Sequence, residues 1–189
     1  MQRRVLLSLA CLPLAACSAV ASDNAVQKFS FDDIGHHVDH IVAASPDATD
    51  AIWTPLDSTR SLAFGKPGEE PMLTLVCEMD EHTQPVIRIV RNTPADPGAK
   101  ALLALLGARM NARVPADTRS AGSAWHWESR VPAQDPQLDV FLDGGSVEAT
   151  VPGGGTLKLA ASSEPGRVVN WCRRQSSQQA SMEQPAPPA

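Results

Sequence analysis

Residues 72–91, MLTLVCEMDEHTQPVIRIVR, decide the fold class. In the first half Leu73, Leu75, Cys77 and Met79 alternate with Thr74, Val76 and Glu78; in the second, Ile87 and Ile89 flank Arg88. A period of two sends successive side chains to opposite faces, which is the pattern of a half-buried strand. The polar DEHTQ between the two runs suits a reversal, so the stretch predicts an antiparallel hairpin turning at residues 81–84.

The same reading extends in both directions. Short apolar runs at 52–56, 61–64, 111–114, 124–130, 138–142, 147–151, 156–160 and 168–172 are expected as strands. Asp143-Gly144-Gly145 and Pro152-Gly153-Gly154-Gly155 predict two further hairpins, joining 138–142 to 147–151 and 147–151 to 156–160. The run KALLALLGARM, residues 100–110, is open to either reading. Its alanines and leucines favour helix, but Pro97-Gly98 and Gly107 leave room for only about two turns, and strand is preferred. Short strands spaced by about 8 to 12 residues between Gly and Pro turns define an all-β domain over 51–174, an antiparallel β-sandwich or small barrel.

The flanks differ. Residues 17–50 read as a tether, with one short helix expected in FDDIGHHVDHIVAA, residues 31–44, where Ile34, Val38, Ile41 and Val42 share a face. Residues 175–189, QSSQQASMEQPAPPA, hold too little apolar surface to offset the entropy of ordering and are expected as a disordered tail.

The first seventeen residues, MQRRVLLSLACLPLAAC, carry Arg3 and Arg4, an apolar stretch over 5–16 and small residues before Cys17, the layout of a secretory signal peptide. Leu14-Ala15-Ala16-Cys17 resembles the lipobox of bacterial lipoproteins. The resemblance implies that residues 1–16 are removed as signal peptide, that Cys17 is lipidated, and that two or three acyl chains hold the protein to a membrane, since one chain binds only marginally. Ser18 in place of aspartate implies an outer-membrane address facing the periplasm. The stretch TVPGGGTLKL, residues 150–159, and the rest of the mature domain look similar to β-rich lipoproteins of proteobacteria.

Loss of Arg3 and Arg4 takes the formal net charge from −5 to −7. An acidic surface without a basic stripe excludes nucleic acid as a partner class, because phosphate binding depends on clustered Lys and Arg. Of four cysteines, Cys11 leaves with the signal and Cys17 carries lipid, so Cys77 and Cys172 remain. In an oxidising compartment they suggest one disulfide; two buried free thiols are the alternative.

Candidate chemistry is sparse. His36 and His40, four apart beside Asp33, could share a helical face and bind a divalent ion, whereas solvated polar residues in a tether would look the same. Trp125 and Trp127 alternate with His126, placing both indoles on one strand face, as a platform for a sugar ring or as core filling. The glycine run 153–155 lacks the spacing of a phosphate loop, and no nucleophile elbow is present. These features point away from an enzyme and call for no cofactor. The expectation is a lipid-anchored periplasmic or outer-membrane protein with a binding or structural role in the envelope. Its partners are the membrane and an envelope protein or glycan, and the alternatives are a glycan or small-ligand binding module and a small hydrolase or metal-dependent enzyme.

Overall fold

The computed structural model describes residues 43–56, 60–122 and 124–183. Nine strands form one antiparallel sheet: β1 Ile52–Pro55, β2 Ser61–Gly65, β3 Leu73–Met79, β4 Pro85–Arg91, β5 Lys100–Leu106, β6 Asn111–Ala121, β7 Ala124–Pro132, β8 Val147–Thr150 and β9 Thr156–Leu159. Their order across the sheet is β1-β2-β3-β4-β7-β6-β5-β8-β9. A four-strand meander is therefore continued by a second meander running backwards, with β8 and β9 added beyond it. The domain is all-β as the sequence predicts, built as a single curled sheet, a half-barrel.

Register explains the core. Leu75 faces Ile89, Ile89 faces Ser129 and Cys77 faces Ile87, so the inward residues of β3, β4 and β7 line one surface. Leu103, Leu105, Val114, Ala149 and Leu157 continue it through β5, β6, β8 and β9, and all lie in one buried cluster. Each leucine, isoleucine or valine among them contributes roughly 1.5–3 kcal/mol by leaving water. The curl brings the two outermost strands together. Trp53 on β1 donates its Nε1–H to the carbonyl of Ala160, just past β9, at 2.9 Å, while its ring meets Phe64 at 5.0 Å between centroids.

The order forces two crossovers, which lie at opposite ends of the sheet. Residues 92–99 carry the chain from β4 past the ends of β7 and β6 to β5. Residues 133–146 return it from β7 to β8 at the other end, and include the 3-10 helix Pro136–Phe141. That helix corrects the strand expected at 138–142. Leu138 and Phe141, three apart, are both buried, the spacing at which side chains of a 3-10 helix eclipse. Asp135 caps it by accepting from the Gln137 N–H, and Pro136 opens it. The hairpin expected at Asp143-Gly144-Gly145 is consequently a turn between the 3-10 helix and β8, held by Asp143 Oδ1 accepting from Gly145 N–H at 2.9 Å.

A second correction concerns the C-terminus. Residues 168–172, expected as a strand, belong to helix α1, Glu164–Glu183. The buried positions Val168, Val169 and Cys172 have the i, i+1, i+4 spacing of a helical face, and Ser162 Oγ accepts from the Glu164 N–H at its start. The helix continues through residues 175–183, where composition predicts no order. It lies against β2, β3, β4 and the 3-10 helix. Arg173 fixes it by donating to the carbonyls of Ala133 and Asp135 and to Asp139 Oδ1 at 2.8–3.1 Å.

The expected hairpins at residues 81–84 and 152–155 are present, and residues 100–106 are strand. Cys77 and Cys172 form a disulfide with Cα atoms 5.6 Å apart, joining β3 to α1. The short helix expected within 31–44 falls almost wholly outside the described residues, as do the leader and Cys17.

Candidate ligand-binding end of the sheet

With α1 and the 3-10 helix at one end, the opposite end is built from loops: residues 66–72, the crossover 92–99, the β6–β7 tip and the β8–β9 turn. Both tryptophans singled out by the sequence lie there. Strand alternation gives them the same face, but their surroundings differ. Trp127 is 4% exposed and belongs to the core. Trp125, closer to the tip, is half-buried and lines a cleft of about 490 Å³ together with Glu70, Asn92, Thr93, Pro94 and His126.

The cleft exists because β4 ends early. Arg91 pairs with Trp127, and that is the last residue of β4, so residues 124–126 of β7 have no β4 neighbour. The crossover occupies this flank instead, tied by one hydrogen bond from Ala95 N–H to the Trp125 carbonyl at 3.2 Å. Asn92 secures the base of the crossover by donating its side-chain N–H to the Pro71 carbonyl. The result is an indole bordered by a carboxylate, an amide, a hydroxyl and an imidazole, which suits a ligand that offers both an apolar face and hydroxyl groups.

Beneath this end lies a residue that sequence reasoning missed. Arg91 continues the inward series Ile87, Ile89 and is 2% exposed. Its guanidinium donates to the Met72 carbonyl at 3.1 Å and to the Gly154 carbonyl at 3.0 Å. It thereby clamps the start of β3 to the β8–β9 turn, across the interior. Burial pushes its pKa below the usual arginine value. Arg91 Nε, Trp127 Nε1 and Thr118 Oγ1 are buried without hydrogen-bond partners and fall in one cross-strand row, Arg91 opposite Trp127 opposite Thr118. The signal was legible: an arginine at an inward register position of an otherwise aliphatic strand.

The glycine run is explained by the same clamp. A Cβ on Gly154 would meet Thr93 Cγ2 at 2.7 Å, and one on Gly155 would meet the Ala44 carbonyl oxygen at 2.7 Å, with φ already at +58°. The turn must be glycine to seat between the crossover and residues 44–45.

On the outer face of the same strands, charges form a lattice. Glu78 pairs with Arg88 at 3.0 Å and Arg130 at 2.6 Å. Glu128, only 11% exposed, lies 3.2 Å from Arg130, 3.6 Å from Arg88 and 3.8 Å from Arg119. The hydrogen bond that Arg130 Nε donates to Glu128 raises the pKa of Arg130 above the usual value, with further support from the charges of Glu78 and Glu81. Glu81, Arg88, Arg119, Glu128 and Arg130 line a hollow of about 580 Å³ that also has His126 on its wall.

The remaining expected site residues, Asp33, His36, His40 and Cys17, lie outside the described residues. Among the described residues no group of three His, Cys, Asp or Glu side chains is placed to hold a metal ion. Comparison with protein-family models, with curated proteins and with solved structures gave no match.

Proposed function

We propose that this protein is a ligand-binding lipoprotein of the cell envelope, held to the membrane through Cys17, whose curled β-domain takes a saccharide ring against Trp125. The observation that carries the binding reading is the half-buried Trp125 in a cleft of about 490 Å³ bordered by Glu70, Asn92, Thr93 and His126. An aromatic face with nearby amide, hydroxyl and carboxylate groups is the combination that a polyhydroxylated ring requires. The anchor rests on the basic start, apolar stretch and Leu14-Ala15-Ala16-Cys17 sequence of the leader.

The binding reading is tested by presenting the purified full chain and its Trp125→Ala variant to an array of bacterial envelope oligosaccharides. Saturable binding that weakens roughly tenfold or more in the variant supports it, the size being that of losing an aromatic anchor. Binding to no member, or equal binding by the variant, rejects it. The anchor is tested separately by radiolabelled palmitate in the native host, where wild type incorporates label and Cys17→Ala does not.

A further inference from the structure

His126 lines both the Trp125 cleft and the charged outer hollow, so the two depressions share a wall. The reason is topological. Trp125 and Arg119 lie on opposite faces of the β6–β7 hairpin, Arg119 directly across from His126. Because β4 stops at Arg91, the flank of β7 at residues 124–126 is met by the crossover and not by a strand, and His126 on that flank contributes to both depressions.

The charges in the outer hollow are unevenly satisfied. Arg88 and Arg130 each reach two carboxylates, those of Glu78 and Glu128. Among the described residues Arg119 reaches only Glu128, at 3.8 Å, the longest contact in the lattice, and its side chain is 60% exposed. Glu128 is already held more closely by the other two arginines. Glu81, at the rim, acts on Arg130. Arg119 is therefore the guanidinium with donors to spare, and its planar fork matches a carboxylate in two parallel hydrogen bonds.

Building on the binding function proposed for Trp125, we infer that the ligand is an acidic saccharide. Its ring lies against Trp125, and its carboxylate passes His126 to be held by Arg119. Glu70, which lines the Trp125 cleft and not the outer hollow, repels a carboxylate placed in the cleft and so fixes the direction.

The test uses matched pairs on the full chain: uronic-acid oligosaccharides and the same oligosaccharides with their carboxyls methyl-esterified. Affinity for the acid exceeds that for the ester by about tenfold, the size of one charge-assisted pair, and the excess shrinks as salt is raised. Arg119→Gln lowers acid binding to about the level of the ester and weakens ester binding far less than acid binding. Arg119→Lys, which keeps the charge without the fork, falls between. Trp125→Ala weakens both ligands. Equal binding of acid and ester, or equal loss of both in Arg119→Gln, overturns the acidic assignment while the Trp125 site stands. Binding of neither, here and on the wider array, overturns the site itself. Thermal melting of each variant separates loss of binding from loss of fold.

Discussion

A single side chain joins distant parts of this domain. The guanidinium of Arg91 reaches carbonyls at Met72 and Gly154, and substitution exposes what that clamp contributes. Arg91→Met keeps most of the stem but leaves two carbonyls without donors, so urea denaturation is expected to show a loss of about 2 kcal/mol. Arg91→Lys, a point donor in place of a fork, recovers only part of it. At the surface, Lys66 donates to Asp47 at 2.8 Å, pinning the segment that enters β1 to the β2–β3 connection. That hydrogen bond, helped by Thr49, holds the Asp47 carboxyl well below the usual carboxylate range, and Asp47 in turn raises Lys66. A lowered carboxyl pKa stabilises the folded state above the unfolded value, near 4, and the contribution disappears as pH falls through the folded value. The difference in Tm between wild type and Asp47→Asn is therefore expected at neutral pH and should close as the solution is acidified below about 4.

Among the elements, those set by local chemistry could be read from sequence and those set by distant partners could not. The β3–β4 hairpin follows from alternation, and its turn from Asp80, whose Oδ1 accepts from the N–H groups of His82 and Gln84. The strand expected over 111–114 runs on through Pro115 to Ala121 as β6. Pro115 is tolerated because it sits opposite Leu102 of β5, before the ladder to β7 begins at Asp117. Residues 138–142 and 168–172 look like strands when only every second residue is weighed; Phe141 and Val169, buried beside their neighbours, carry the helical period instead. Trp125 and Trp127 were legible as a pair, but their different fates depend on where β4 ends, which no local pattern specifies. Arg119 stands out only once Glu78 and Glu128 are seen to satisfy its neighbours. The disulfide holds the most remote element, α1, to β3. For cysteines 95 residues apart the chain-entropy model gives about 4 to 5 kcal/mol, so a Cys77→Ala/Cys172→Ala variant should lose stability of that order in denaturant titrations.

Taken whole, the half-barrel has one end held by covalent and ionic ties and another made of loops. Its strand edges meet through Trp53, so Trp53→Phe, which keeps the ring against Phe64 but removes the N–H to Ala160, is expected to cost about 1 kcal/mol in thermal or urea unfolding. The binding site proposed for Trp125 draws on the crossover 92–99 and the β6–β7 hairpin, so substitutions there are expected to alter the proposed binding without disturbing β3 or α1. The bond between Cys77 and Cys172 has one more consequence. It makes the chain from Cys77 in β3 to Cys172 in α1 a closed macrocycle that includes the crossover 92–99, the β6–β7 hairpin and the β8–β9 turn. A protease that nicks the crossover or the β8–β9 turn therefore opens a ring rather than severing a chain: the two pieces stay covalently joined, and separate on a gel only after reduction.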